Sequence, residues 1–339
     1  MIIQSSAPTR VDLAGGTIDI WPLYLFHPGA MTVNFALSLL ASVRIETRED
    51  NRVILESRDR GIGFETTVEG INELARDERL TIVSKMVHFF RPTQGFHLVA
   101  NSDAPAGAGI SGSSALAIAL IGALNRLVGN RYDERKFITI AANIETTVIK
   151  VPAGFQDYHP AFHGSASCIH FRPDGIEREH LTVDHEEIER RFVICYTGEP
   201  RNSGINNWDI FKRHIDGDAE LFQIFEKIRE AATRMRAALA ANDWAEVGNV
   251  MRDAYPNRKR LAPGITTPHM DALVAKALAS GAEAAKVCGA GGGGCIAFLC
   301  APERQQEVER ALAAEKGTEV LNWKVAREGL VVRETSGGR

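Results

Sequence analysis

Residues Asp103 to Leu116 read Asp-Ala-Pro-Ala-Gly-Ala-Gly-Ile-Ser-Gly-Ser-Ser-Ala-Leu, so glycines and small hydroxyls run directly into an apolar helical pattern. Glycine lets a backbone approach an anion and aim its N–H groups at it, and the helix that comes next adds the positive end of its dipole. The segment reads as a phosphate-binding loop. A nucleotide is the ligand it fits best.

Two common fingerprints can claim this loop, and both fail on context. Gly107-Ala-Gly109-Ile-Ser-Gly112 matches G-x-G-x-x-G, but a dinucleotide fold needs a strand after the first helix, with an acidic residue about 20 positions on. Here the helical run Ser114 to Leu127, closed by Gly129, leads to a second one over Asp133 to Lys150, with Asp133 as N-cap and Pro152-Ala-Gly as stop. Gly107 to Ser114 nearly has Walker A spacing, but Ser113 stands where the phosphate-binding lysine belongs. Two adjacent hydroxyls, Ser113 and Ser114, remain at a helix start. A hydroxyl there can ligate Mg²⁺ on the β- and γ-phosphates, or it can merely cap the helix.

The remaining chain sets the frame for that loop. Met31 to Glu46, Arg52 to Glu56, Gly95 to Ala100, Arg191 to Thr197, Cys295 to Cys300 and Glu319 to Val325 read as strands. Ala219 to Ala279 is largely helical, with breaks near Asn242-Asp243 and Pro256 to Pro268, and Arg304 to Lys316 reads as a further helix. The class is α+β, without a fixed-period repeat. At 339 residues two domains are expected, 1–180 and 181–339, with the boundary between Arg172 and Arg190. A net charge of −4 gives no case for nucleic acid or an anionic membrane as partner. No apolar run approaches the roughly 18 to 20 residues of a bilayer span, and the N-terminus lacks a signal-peptide layout, so a cytoplasmic location is expected. The five cysteines are scattered, without a C-x-x-C pair, and read as buried thiols rather than metal ligands.

Two more motifs flank the central loop: Ala7-Pro-Thr-Arg-Val-Asp-Leu-Ala-Gly-Gly-Thr-Ile-Asp19 before it and Lys286-Val-Cys-Gly-Ala-Gly-Gly-Gly-Gly-Cys295 after it. In order and spacing the three resemble the signatures of the GHMP kinases, named for galactokinase, homoserine kinase, mevalonate kinase and phosphomevalonate kinase. The resemblance implies a two-domain fold, with an N-terminal ribosomal-protein-S5-like domain and a C-terminal ferredoxin-like α/β domain. It implies ATP and Mg²⁺ as cofactors. The central loop resembles P-x-x-x-G-L-G-S-S-A, with Ile110 for Leu, Ser111 for Gly and one additional residue before Ala115. Pro105, Gly107, Ala108, Gly109, Ile110, Ser111, Gly112, Ser113 and Ser114 are the expected phosphate-binding residues. Counting from Pro105 makes Ser113 the metal ligand, the register preferred here, whereas counting back from Ala115 gives Ser114. Five glycines in the six positions Gly289 to Gly294 are hard to attribute to packing, because glycine loses backbone entropy without burying a side chain.

Phosphoryl transfer needs charge neutralised at the γ-phosphate and a group that takes or orients the proton of the attacking hydroxyl. The resemblance assigns the second task to Asp157, since Gln156-Asp157-Tyr158 resembles the Q-D-x-Y form of heptose-type sugar kinases. Arg10 matches the arginine of the galactokinase-like first motif, a fixed cation able to lower the pKa of Asp157 or of the acceptor. Asp19 falls on a substrate-binding aspartate, with Gly16, Thr17 and Gln156 beside the acceptor, and Glu145 is expected to share the metal with Ser113.

The form Arg-Val-Asp-Leu-Ala-Gly-Gly-x-x-Asp resembles the heptose-phosphate and fucose kinase branch more than galactokinase, which shows G-E-H-T-D, or mevalonate kinase, which lacks that aspartate. Tyr196 to Ser203 resembles a substrate loop of heptose kinases, which adds Thr197, Gly198 and Arg201; the third tract adds Gly291 and Gly292. A phosphorylated sugar needs a second anion site, from Arg201 or from the run Arg258-Lys259-Arg260, although Pro256 and Pro263 favour a solvated loop for that run. The expected activity is ATP-dependent phosphorylation of an anomeric hydroxyl, with D-glycero-D-manno-heptose 7-phosphate giving the 1,7-bisphosphate. Kinases of the fucokinase, galactokinase, glucuronokinase or mevalonate type, a diphosphomevalonate decarboxylase and a non-catalytic binding relative are the alternatives. A small-molecule sugar or sugar phosphate is the expected partner, and a homodimer is compatible with the reading.

Overall fold

The computed structural model describes residues 1–200 and 205–335. Its first strand, β1 (Ile2–Ala14), shows how the sequence builds the site. Strand side chains alternate between faces, so Val11 and Leu13 enter an apolar core while Arg10 and Asp12 share the other face. Both charged residues are nevertheless buried, at 2% and 1% exposure.

β1 pairs antiparallel with β2 (Met31–Thr47), and a hairpin of β3 (Arg52–Ser57) and β4 (Ile62–Thr67) comes next. After α1 (Thr81–Phe90) come β5 (Phe96–Ser102), α2 (Gly112–Leu127), α3 (Phe137–Ile149), α4 (Tyr158–His163) and the hairpin β6 (Ala166–Arg172) and β7 (Gly175–His180). The chain continues through α5 (His185–Arg191), β8 (Phe192–Tyr196), α6 (Ile205–Ile215), α7 (Ala219–Ala240), α8 (Trp244–Arg260) and α9 (Pro268–Ala279). It closes with β9 (Ala282–Val287), β10 (Cys295–Cys300), α10 (Gln305–Ala313), β11 (Glu319–Val320) and β12 (Val331–Thr335).

Two sheets result. The larger has the order β12-β1-β2-β5-β3-β4, with β6 pairing both β2 and β7; among the described residues only β3 and β5 run parallel. The smaller is β11-β8-β10-β9, antiparallel throughout. Residue 180 ends β7, but β12 returns to the edge of the larger sheet, so the last described strand lies with the first. α2 is apolar nearly all round, as a helix enclosed on several sides must be: Ala115, Ala117 to Leu124 and Leu127 are buried in one core with Ile3, Ala7 and Leu98.

Several sequence-based boundaries shift for local reasons. Asp133 caps a short 3₁₀ turn, its side chain accepting from the Arg135 N–H, and α3 starts only at Phe137. The break expected over Pro256 to Pro268 occurs, but past the first proline: α8 runs through Pro256 to Arg260 and α9 begins at Pro268. An interior proline removes one backbone hydrogen bond. The final turn is held from outside, by Arg258 on Thr17 Oγ1 at 2.7 Å and Lys259 on Asp271 at 2.9 Å. The strand expected over Glu319 to Val325 divides between the sheets: Glu319 and Val320 pair with β8, whereas Val325 bridges Leu37 of β2. All five cysteines are buried, and no helix among the described residues is long and apolar enough to cross a membrane.

Candidate active site

A cavity of about 380 Å³ opens where the three motifs converge. The sequence-predicted residues Arg10, Gly16, Thr17, Asp19, Pro105, Gly107, Ala108, Gly109, Ser111, Gly112, Ser113, Ser114, Glu145, Gln156 and Asp157 all line it. Ile110 does not: its side chain is wholly buried in the core, while its carbonyl accepts from the Arg10 N–H at 3.0 Å.

The central loop is shaped by left-handed backbone at alternate residues, with φ of 70° at Gly107, 77° at Gly109 and 64° at Ser111. Ser111 precedes α2 as its N-cap, yet no side chain caps the helix. The first turn therefore keeps N–H groups without intrahelical partners beside the cavity. Ser113 and Ser114 sit in that first turn, and capping does not explain them. Ser114 is buried and its Oγ donates to Glu145 Oε2 at 2.9 Å, while Ser113 is exposed where it borders the cavity. Tyr158 Oη donates to the same carboxylate oxygen at 2.7 Å. Burial raises the Glu145 pKa, and hydrogen bonds from Ser113, Tyr158 and Ser114 counter that rise.

Arg10 joins this loop to the Gln156-Asp157-Tyr158 segment. Its Nε and Nη2 donate to Asp157 Oδ1 at 2.9 and 2.5 Å, and its Nη1 donates to the Gly109 carbonyl at 3.2 Å. Both contacts to Asp157 fall on Oδ1. Burial disfavours the Arg10 charge, but Asp157 and Asp12 outweigh it and hold the guanidinium pKa above its ordinary value. Asp12 in turn accepts from Lys286 Nζ at 2.6 Å. Burial alone would raise the Asp12 pKa, but Lys286 and Arg10 bring it down to about 2.

Asp19 is also buried, and its oxygens accept from the Thr17 N–H at 3.1 Å and the Gln156 N–H at 3.0 Å. It ties the first motif to the segment carrying Asp157. Burial, then the charge of Asp157, push its pKa up to about 7. Gly154 has to be glycine here, since a Cβ would lie 2.1 Å from Asp19 Oδ2.

The glycine tract reaches the cavity only with Gly289 and Ala290. Gly291 and Gly292 lie outside the lining, against residues 264 and 265: a Cβ on Gly291 would be 2.4 Å from the Ile265 carbonyl, and the Gly292 N–H donates to that carbonyl at 3.0 Å. Thr197 and Gly198 are likewise outside the lining; the Thr197 N–H donates to Gly294 O, and Gly198 is close-packed on Gly317. Arg201 lies outside the described residues. The expectation of a solvated 258–260 run is corrected for Arg258, which lines the cavity. Sequence reasoning also passed over Asp12, Lys286 and Tyr158. Alternation along β1 was the signal for Asp12, two residues after Arg10.

The family models for the GHMP kinases' N-terminal and C-terminal domains match residues 80–165 and 235–318, together half of the chain. The chain belongs to the GHMP kinases. The D-glycero-alpha-D-manno-heptose 7-phosphate kinase of Campylobacter jejuni is 25% identical to it, covering 97% of this chain and 98% of that protein. The mevalonate kinase of Thermococcus onnurineus is also 25% identical, covering 98% and 99%. Among solved structures, a D-glycero-D-manno-heptose 1-phosphate kinase from Bacteroides thetaiotaomicron superposes with a TM-score of 0.79 at 22% identity, covering 99% of this chain and all of that one. The galactokinase of Lactococcus lactis in complex with galactose gives 0.76 at 17% identity, covering 97% and 95%.

Proposed function

We propose that the protein is an ATP- and Mg²⁺-dependent sugar kinase that phosphorylates an anomeric hydroxyl, with D-glycero-D-manno-heptose 7-phosphate as acceptor and the 1,7-bisphosphate as product. One observation carries the reading: the Arg10–Asp157 pair and the uncapped first turn of α2 border one cavity. Asp157 keeps Oδ2 for the acceptor hydroxyl while Arg10 fixes Oδ1, which orients the base and places a cation near the charge that develops. The N–H groups at the start of α2 and the glycines before it hold the phosphates.

The residues also suit the metal. Glu145 and the hydroxyls beside it supply hard oxygen donors of the kind Mg²⁺ takes, and Glu145 is otherwise a buried carboxylate held by neutral donors alone. In this reading Ser113, exposed at the cavity, is the ligand and Ser114 positions Glu145. When bound, Mg²⁺ neutralises charge on the transferred phosphate. Residues 1–180 then carry the ATP loop and Asp157, while 181–339 close the site from the glycine-tract side. Dependence on cellular ATP suits a cytoplasmic enzyme.

A heptose acceptor is supported by the Campylobacter relative and by Asp19, whose position at the cavity suits hydrogen bonds from several sugar hydroxyls. The test is ADP release with Mg²⁺ and a panel of aldoses and aldose phosphates. Turnover is expected on the heptose phosphate, and Asp157→Asn should lower kcat by about 10²- to 10⁴-fold. Unchanged turnover in that variant removes Asp157 from the base role; ADP release on mevalonate alone removes the sugar.

A further inference from the structure

Arg10 and Arg258 line the cavity beside Asp12, Asp19 and Asp157, and Lys286, outside the lining, pairs with Asp12. Arg10 is paired with Asp157 and Asp12. Arg258 is different. Among the described residues its guanidinium is held by neutral oxygens only, Nη1 donating to Thr17 Oγ1 at 2.7 Å and Nη2 to the Gly289 carbonyl. Its Nε is shielded and meets no acceptor among the described residues. A guanidinium has five N–H donors, so after these two bonds the fork still has donors to offer, and the residue lines the cavity. Removing such a cation from water is unfavourable, and burial pulls the Arg258 pKa down against the attraction of Asp12 and Asp19, neither of which it touches in a hydrogen bond among the described residues.

The surroundings are arranged to keep this cation in place. Thr17 adopts φ of 81°, where a β-branched residue is a genuine outlier. In that conformation its N–H reaches Asp19 and its hydroxyl reaches Arg258. Strain of this kind is retained where the surrounding structure enforces it, typically around a binding site. The charge balance tilts the same way. In the cluster around Arg258 three carboxylates, Asp12, Asp19 and Asp157, oppose Arg10, Lys286 and Arg258, and because burial pushes Asp19 up to about 7 that cluster leans positive as pH falls through this value. Lys259 and Arg260, the other members of the basic run, pair with Asp271 and Glu220 at the surface.

From this we infer that Arg258, steadied by Thr17, is the specificity-determining residue of a subsite for an anionic substituent of the acceptor, separate from the hydroxyl that Asp157 serves. The inference rests on the sugar-kinase reading for the identity of the acceptor. The chemistry is that of a phosphate ester or a carboxylate, both of which a guanidinium recognises.

The deciding measurement is calorimetric binding, without nucleotide, of D-glycero-D-manno-heptose 7-phosphate, the same heptose without its phosphate, and glucuronate, followed by kcat/KM for each. Wild-type protein should prefer an anionic ligand over the neutral sugar, and Arg258→Gln should reduce that preference by about tenfold or more. Preference for the phosphate or for glucuronate tells the two anions apart. Thr17→Gly, which relieves the backbone strain and releases the guanidinium, should produce a smaller drop in the same ratio. An unchanged ratio overturns the subsite. So does an equal loss on charged and neutral ligands, the mark of a purely structural tie, or a loss confined to the KM for ATP, which would assign the cation to the nucleotide. Arg258-dependent binding of the sugar phosphate without ADP release would sink the kinase reading and leave the subsite standing. Turnover that ignores the acceptor's charge would do the reverse.

Discussion

The two glycine-rich loops look alike in sequence and do different work. They touch directly: the Cys295 N–H donates to the Ala108 carbonyl at 2.7 Å, and a Cβ on Gly294 would lie 2.7 Å from that same oxygen. The central loop spends its glycines on left-handed turns that leave the start of α2 facing a cavity. The later tract spends most of its glycines on close approach of one backbone to another, at Ile265, Gly264 and Ala108, and only Gly289 and Ala290 border the cavity. Glycine density alone does not separate a ligand cradle from a seam between chain segments. The element immediately downstream separates them, since the first loop opens a helix and the second enters β10.

If that contrast is right, substitutions in the first loop should affect turnover and those in the second should affect stability. Between the two loops the largest expected effect is Ser113→Ala, with kcat in the ADP-release assay down by about 10²-fold and the thermal midpoint nearly unchanged, because Ser113 is exposed. An equally large fall in the midpoint would erase the distinction. Next comes Gly291→Ala in the second loop. Its φ of 82° disfavours any Cβ, and the Ile265 carbonyl would be 2.4 Å away. A loss of about 2 kcal/mol or more in chemical denaturation is expected, with KM for ATP little altered in whatever remains folded.

The acceptor end should show a third behaviour, governed by proton uptake. Asp19 is pushed up to about 7 by burial and by Asp157, so its ionised form, the better acceptor for sugar hydroxyls, accumulates only as pH rises through that value. KM for the acceptor should fall by about tenfold between pH 6 and pH 8, and Asp19→Asn should flatten the profile. Stability runs the opposite way. The folded chain holds this proton between the ordinary aspartate pKa of 3.8 and about 7, so wild type should lose stability relative to Asp19→Asn as pH rises through that window. A KM independent of pH in wild type would show that Asp19 serves the protein's own hydrogen bonds and not the acceptor.

Much of the central site was legible because its parts are short and contiguous. Arg10, Ser113, Glu145 and Asp157 could be named from motifs, and the structure brings them to one cavity. The residues that escaped are those whose role depends on distant partners. Lys286 is paired with Asp12 across 274 positions, and Arg258, which the sequence offered only as one member of a run favouring a solvated loop, is tied to Thr17 across 241. Nothing local to Pro256 announces that the helix continues, because the contacts that hold its final turn belong to other segments. The same reasoning explains why Glu319 to Val325 read as a single strand: its β-forming residues are real, but they are divided between two sheets.

The smallest expected effect sharpens the contrast at its most local point. Ser111 departs from the glycine of the family pattern yet adopts the backbone that glycine prefers, with φ 64° and ψ 33°, and its buried hydroxyl has no partner among the described residues. A non-glycine residue in this region costs about 1–2 kcal/mol, partly offset by the lower chain entropy it brings to the unfolded state. Ser111→Gly should therefore raise stability by about 1 kcal/mol in denaturant titration, with the backbone path of the loop retained. If the hydroxyl instead serves the nucleotide, the same variant will still be more stable but will show a higher KM for ATP. A variant less stable than wild type would mean that this serine supports the loop, and that the central loop relies on side chains where the later glycine tract relies on their absence.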